Sequence, residues 1–320
     1  MFYPKHHYDI MNKTIMITGI FRSGTTLTGN ILGSFKNVEY SFEPPIVFTL
    51  DALLKKSEIN NDIAIQILRT YLAEDIMVNY HSGRYYNMKP SDDSYILNMK
   101  SPEVIKERRE NICDTNDSIN LINKLDSKLV FKSPSVYFLP QILLENIKDF
   151  KIIDIKRDLF SVLGSIVKKE WFSDKNLSST EYFSNWPYLN SNTKYNIPYF
   201  LKEEYIKLWE NANEITRSAM VLNSLFSFRQ DLFSKTKKSN EKTRIKEIKY
   251  EDLVAFPNDI VLEMAQFLNA DLTKKTDEQI EKINYVKGKH DISKLLKNCN
   301  LKIKNELVEN NKKFGYKNIK

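Results

Sequence analysis

Cysteine is scarce in this chain: its 320 residues contain two, Cys113 and Cys299. They lie far apart and form no metal-ligand pair, a usage that suits a reducing compartment. No apolar run of about 18 residues occurs, so nothing reads as a membrane span. The opening stretch "MFYPKHHYDIMNK" lacks the apolar centre of a secretory signal. A soluble, cytoplasmic protein is therefore expected, with residues 1–12 a disordered tail carrying His6 and His7, and Met11 an alternative start. No linker rich in Gly, Pro or Ser and no internal repeat divides the rest, so residues 13–320 read as one domain.

Nucleic-acid signatures are also missing. The formal charge is +7, from 48 basic and 41 acidic residues, but neither zinc-finger spacing nor an aromatic RNA-binding motif accompanies it. The basic residues read as solvated helix faces whose summed field favours small anionic ligands. What is abundant is ordinary globular material: 42% hydrophobic and 28% charged residues, in a chain long enough to bury a substantial core.

Short β-branched runs alternate with helical patterns. "KTIMITG" at 13–19, "NVEYSFE" near 37–43, "KLVFKSP" at 128–134, "DFKIIDIKRD" at 149–158 and "TRIKEIKYEDL" at 243–253 read as strands. Helical patterns fill 25–34, 51–80, 137–147, 159–172 and 200–233, and Pro44 with Pro45 interrupts regular structure. Residues 81–128 are polar and irregular, the expected place for a substrate-covering insertion. The alternation predicts an α/β fold: a three-layer sandwich with a central, mainly parallel sheet and helices on both faces.

The first strand runs into "ITGIFRSGTTLTGNIL", where four residues separate Gly19 from Gly24. Strand, glycine-bounded turn and helix is the setting of a phosphate loop, whose amides converge on an anion with the helix dipole behind them. Ser23, Thr25 and Thr26 add hydroxyls. A triphosphatase places lysine directly after the second glycine to reach the outer phosphates; here Thr25 occupies that position. The loop is poorly equipped for Mg-ATP and suits a single phosphate at this end, with Arg22 placed to neutralise charge on a leaving bridging oxygen. Those requirements match 3′-phosphoadenosine 5′-phosphosulfate. A second anion site is expected at "IIDIKRDLFSVLGS": Arg157 ends a strand, and Ser165 lies about two helical turns on.

With both motifs in view, the chain resembles the sulfotransferase superfamily, in particular its bacterial and carbohydrate-type members. "FRSGTTLTGNIL" is similar to the family's 5′-phosphosulfate loop and "IIDIKRDLFSVLGSIV" to its 3′-phosphate motif, with Leu159 where proline is usual. "IKYEDLVAFPNDIVLEMAQFLN" resembles its Tyr-Glu-Asp-Leu segment and "CNLKIKNELVENNKKFGY" its closing helix. The resemblance implies a P-loop-like sheet, the phosphosulfate as donor co-substrate, sulfuryl transfer to a hydroxyl or amine, and no metal. It assigns Arg22, Ser23, Gly24, Thr25 and Thr26 to the donor's 5′ side and Arg157 and Ser165 to its 3′-phosphate.

Small-molecule members usually carry a Lys-Thr-His run where this chain reads Lys132, Ser133, Pro134, so the family's histidine base is absent there. Glu43, in "SFEPP", resembles the glutamate that carbohydrate sulfotransferases use, and strand ends of an open α/β sheet face the ligand crevice. Lys132 is expected to support the leaving group or the sulfuryl oxygens. His81 and His290 are reserve bases, and "VKGKH" at 286–290 is a basic loop able to close over the 3′-phosphate. The acceptor expected from these features is a glycan, a lipid-linked sugar or another small molecule, with Trp171, Trp186 and tyrosines between Tyr182 and Tyr205 available for stacking. A small-molecule or nucleotide kinase with a degenerate loop, and a non-catalytic nucleotide-binding module, are the alternatives. Oligomeric state is not legible.

Overall fold

The expected tail at the N-terminus is instead a helix, Lys5–Asn12 (α1), in the computed structural model, which describes residues 3–178, 187–189, 193–236, 243–283 and 292–316. Its Lys, His and Asn content hides it from propensity. Ile10 and Met11 hold it, buried in the main core, and His6 and His7 meet Glu74.

The chain then alternates strictly at first: Thr14–Gly19 (β1), Thr25–Gly33 (α2), Val38–Phe42 (β2). Pro45 does not stop structure but starts it. Proline fits the first helical position, where its missing N–H costs nothing, and Pro45–Lys55 is α3. The single helical stretch expected over 51–80 is broken at residues 56–60: its start belongs to α3, and helix resumes at Asn61–Thr70 (α4), running on through a π-helical segment Tyr71–Val78 into the short Asn79–His81 (α5). The segment expected to be irregular also carries Pro102–Asn111 (α6) and Thr115–Lys124 (α7), capped at Asp114. Lys128–Lys132 (β3), Phe138–Asn146 (α8), Lys151–Lys156 (β4) and Leu159–Lys168 (α9) follow the expected pattern.

Beyond Asp174–Ser178 (α10) come a two-stranded ribbon, Tyr188–Leu189 (β5) with Ile197–Pro198 (β6), and Glu203–Trp209 (α11). Glu214–Thr236 (α12), Ile245–Lys249 (β7), Tyr250–Ala255 (α13), Pro257–Leu268 (α14), Lys274–Glu281 (α15), Ile292–Lys297 (α16) and Leu301–Lys313 (α17) complete the described elements.

Five strands form one sheet in the order β2-β3-β1-β4-β7, every pair parallel. Parallel pairing needs crossovers, which the helices supply on both faces. Side-chain alternation then splits the core in two. Met16, Phe131 and Ile152 face one layer, with Leu163 of α9 and Leu222 of α12. Ile15, Ile17, Val130, Ile153 and Ile248 face the other, against Ile31 and Leu32 of α2 and Met264 of α14. Burying each such aliphatic chain contributes about 1.5–3 kcal/mol; cutting one back to alanine costs about 2–5 kcal/mol. The expected three-layer α/β sandwich is the fold observed. All five carboxyl strand ends point the same way, and β1 sits where the strand order reverses, the crevice that open α/β sheets use for ligands.

One charged group buried against the sheet is firmly paired. Glu39 of β2 is fully buried; Arg108 of α6 grips it through two hydrogen bonds, 2.7 and 3.1 Å, with Lys100 at 3.7 Å. These cations hold the carboxyl well below the usual carboxylate range against its own desolvation. The clamp ties the 82–128 segment to the sheet.

Candidate active site

The loop after β1 is built around two glycines whose backbone no side chain would tolerate. Gly19 has φ of 141°, and a Cβ there would lie 2.4 Å from the carbonyl oxygen of Ile155. Gly24 has φ of 99° and abuts the ring of Tyr250, which a Cβ would meet at 2.4 Å. Gly24 is also the N-cap of α2 and supplies no capping side chain. The first amides of α2 therefore lack intrahelical partners and face the crevice as donors. The hydroxyls of Ser23 and Ser133 are buried without a protein partner. Uncapped amides and spare donors at a helix N-terminus fit a phosphate group.

Arg22 (φ 63°) projects from this loop. Its Nε donates to Ser165 Oγ at 3.0 Å, and its carbonyl accepts from Arg157 Nη1 at 2.9 Å. Its guanidinium lies 5.8 Å from the ring centroid of Trp171. Burial, then the neighbouring charge of Arg157, lowers its pKa, with Asp93 and Glu43 acting in the opposite sense. The structure thus brings Arg22, Arg157 and Ser165 into one cluster.

Arg157 stacks on Tyr250 at 4.3 Å. The next residue of α13, Glu251, accepts from the Asp158 amide at 3.3 Å and from the Tyr316 hydroxyl at 2.6 Å. From α17, Asn311 Oδ1 accepts the Leu159 amide at 2.8 Å. Where the sequence has Leu159 in place of proline, that leucine amide is used as a donor. The four sequence motifs are therefore in physical contact, the C-terminal pair bracing the strand end that carries Arg157.

On the other side of the loop, Lys132 ends β3 and is almost wholly buried. Its Nζ lies 2.6 Å from Glu43 Oε1 and donates to Thr26 Oγ1 at 2.9 Å; it also sits 3.8 Å over the Phe42 ring. Burial lowers its pKa, Glu43 opposing the shift. Glu43 has φ of 43°, a left-handed backbone that sends its side chain back towards β3, and its amide donates to the Lys132 carbonyl at 3.0 Å. Such a conformation in a non-glycine residue is costly and concentrates at functional positions.

Three residues that sequence reasoning did not single out join the site. Tyr250 forms the wall beside Gly24. Asp93, in the segment after α5, bears electrostatically on both Arg22 and Lys132, and its carbonyl accepts from Asn30 of α2 at 2.8 Å. Ser135 (φ 63°) accepts the Phe21 amide at 3.1 Å. The Tyr-Glu-Asp-Leu pattern pointed at Tyr250; nothing local marked Asp93.

His81 is not at this site. It is buried, with Nδ1 at 3.0 Å from the Met77 carbonyl and Nε2 at 3.0 Å from Ser127 Oγ, and desolvation lowers its pKa to about 4. Its hydrogen bonds and its burial exclude it as a base. His290 and the whole 286–290 loop lie outside the described residues, as do Tyr182 and Trp186. Tyr199 and Tyr205 are core residues, bonded to Asp51 at 2.7 Å and to Glu306 at 2.5 Å respectively, and do not offer a stacking face.

Residues 12–315 match the family described as sulfotransferase domain. The chain belongs to the sulfotransferase family. Among curated proteins none matches it by sequence. Solved structures similar to this sulfotransferase include the sulfotransferase domain from the curacin biosynthetic pathway, at 17% identity and TM-score 0.47, covering 95% of this chain and 97% of that one. Sulfotransferase STF1 from Mycobacterium tuberculosis H37Rv is 13% identical with TM-score 0.44, covering 91% and 78%. Retinol dehydratase, solved with androsterone and the inactive cofactor PAP, is 13% identical with TM-score 0.35, covering 92% and 70%. The family uses 3′-phosphoadenosine 5′-phosphosulfate as its donor, and membership decides against the kinase alternative. Among the described residues no helix is long and apolar enough to cross a membrane.

Proposed function

We propose that this sulfotransferase transfers a sulfuryl group to a hydroxyl on a ring-shaped acceptor, a glycan or lipid-linked sugar being the favoured class, with Glu43 as general base. The observation that carries the reading is Lys132, which touches the phosphate loop at Thr26 and the proposed base at Glu43 at once. A group held on the loop and a hydroxyl held at Glu43 would then meet across one cation.

In this reading the loop amides with Thr25 and Thr26 hold the donor's 5′-phosphate, and Arg157 with Ser165 holds its 3′-phosphate. Glu43 accepts the acceptor proton as the acceptor oxygen bonds to sulfur. Lys132 and Arg22 neutralise the charge left on the bridging oxygen as its bond to sulfur breaks, and electrostatic stabilisation of this kind is among the larger contributions to catalysis. Because Arg22 leans on Ser165, it also shapes the 3′-phosphate site, and Lys132 is the cation nearer the base.

The acceptor reading rests on a cavity of about 590 Å³ beside Glu43, lined by Phe42, Tyr71, Asp75, Tyr80, Tyr85 and Tyr86 among others. That volume is ordinary for a small-molecule site. Tyrosine faces suit the apolar face of a sugar ring, and their hydroxyls with Asp75 suit its polar edge. Thermal unfolding with adenosine 3′,5′-bisphosphate, 5′-AMP and Mg-ATP tests the donor half. A selective rise with the bisphosphate is expected, about 2.7 kcal/mol at 100 times Kd, and a response to Mg-ATP alone would sink the reading. Transfer of labelled sulfate to sugar acceptors, set against phenols and amines, tests the acceptor half.

A further inference from the structure

On the far side of the acceptor cavity's wall, α1 and the π-helical segment bring three ligating side chains together. His6 Nε2 and His7 Nε2 lie 2.8 and 2.6 Å from the same oxygen, Glu74 Oε1, and the three ligand atoms all fall within 4.8 Å of one another. We propose that His6, His7 and Glu74 bind a divalent transition-metal ion of the zinc class, outside the catalytic site and independent of the acceptor reading.

The donor set selects the ion. Two imidazole nitrogens and one carboxylate oxygen suit zinc and its late first-row neighbours, whereas magnesium and calcium prefer all-oxygen sites. The hydrogen-bonded arrangement leaves the groups poorly served, since two ring nitrogens converge on one carboxylate oxygen. An ion with bonds of about 2.0–2.2 Å would hold the ligand atoms about 3.3 Å apart in a tetrahedron. That is an opening of about half an ångström from the hydrogen-bonded distances. The Glu74 side chain is 38% exposed, so water can complete the coordination from the solvent side.

The placement gives the site a consequence. Glu74 belongs to the eight-residue π-helical segment Tyr71–Val78, a wide turn geometry frequent at functional sites. Tyr71, Asp75 and Ile76 of the same segment line the cavity beside Glu43. A bound ion would pin α1 to the back of that wall.

The test uses the full chain carrying Cys113→Ser, which removes an exposed thiol able to scavenge metal, after chelator treatment. Calorimetry is expected to give one equivalent of Zn²⁺ with a rise in Tm; Co²⁺ should develop the visible absorption of a tetrahedral site, and Mg²⁺ should do neither. His6→Ala and Glu74→Gln, chosen because both residues are less buried than His7, should each weaken Zn²⁺ by at least about tenfold, since even the outer-shell partners of a metal site are worth that much. Absence of Zn²⁺ binding, an equal response to Mg²⁺, or an equivalent retained unchanged in both variants overturns the proposal.

Discussion

Lys132 Nζ stands 2.6 Å from Glu43 Oε1, a contact between the carboxyl ends of two neighbouring parallel strands. The carboxylate faces the crevice beside an amine that also reaches the phosphate loop at Thr26. Removing the cation and removing the base should therefore have separable effects.

Glu43→Gln is expected to lower kcat by about 10²–10⁴-fold, the usual worth of a general base, while binding of adenosine 3′,5′-bisphosphate stays within about twofold. Lys132→Ala should lower kcat by about 10²–10³-fold and weaken the nucleotide modestly through Thr26. Equal loss of nucleotide affinity in both variants would mean that Glu43 shapes the loop instead of the chemistry.

Arg157 is expected to report on one phosphate only. Arg157→Ala should weaken the 3′,5′-bisphosphate by about 1.5–3 kcal/mol, the value of a charge-assisted hydrogen bond, or about 10–150-fold in Kd. Binding of 5′-AMP, which lacks the 3′-phosphate, should hardly change. A parallel loss for both nucleotides, read by calorimetry, would place Arg157 elsewhere.

Gly24→Ala confronts two obstacles, the Tyr250 ring 2.4 Å from the new Cβ and a φ of 99°. Nucleotide binding should vanish and Tm should fall. Adding Tyr250→Ala removes the clash but leaves about 1–3 kcal/mol of backbone strain, so the double variant should recover Tm only in part. Full recovery would show that the turn has no intrinsic demand for glycine.

Asp51 provides a pH signature away from the site. It is fully buried, accepts the amides of Phe138 and Leu139 at 2.8 and 2.7 Å, and accepts from Tyr199. Desolvation raises its pKa from 3.8 to about 6. The folded state holds this proton more tightly, so the contribution to stability is full below pH 3.8 and is lost as pH rises through about 6. Relative to Asp51→Asn, the wild type should gain about 2 kcal/mol between pH 7 and pH 4.5. Taking the difference cancels the opposite trend of His81, whose lowered pKa acts in both proteins. Denaturant titrations at the two pH values check it; a flat difference would mean Asp51 is ionised throughout.

The sheet was legible because its strands are short, β-branched and bounded by glycine or charge. The grouping of the glycine loop with Arg157 and Ser165 was legible because these residues obey local spacing rules. Other features were set by contacts distant in sequence. Helix α1 has little intrinsic propensity and exists through Ile10, Met11 and the reach of Glu74 across more than sixty residues. Asp93 enters the site because Asn30 of α2 holds its carbonyl and because Arg108 and Lys100 anchor its segment to Glu39. The π-helical segment between α4 and α5 was hidden because it preserves an apolar, helix-like pattern while shifting its phase.

In the proposed reading, the strand order allots the two substrates to different halves of one sheet. Arg22, Arg157 and Tyr250 follow β1, β4 and β7, while Glu43 and Lys132 come from β2 and β3. Lys132 links the second set to the loop that carries Arg22 through its hydrogen bond to Thr26. Such a partition is what an engineer would want from a transferase. The tyrosine-lined half can be diversified in a library to accept new hydroxyls, with the nucleotide half held constant as a shared chassis.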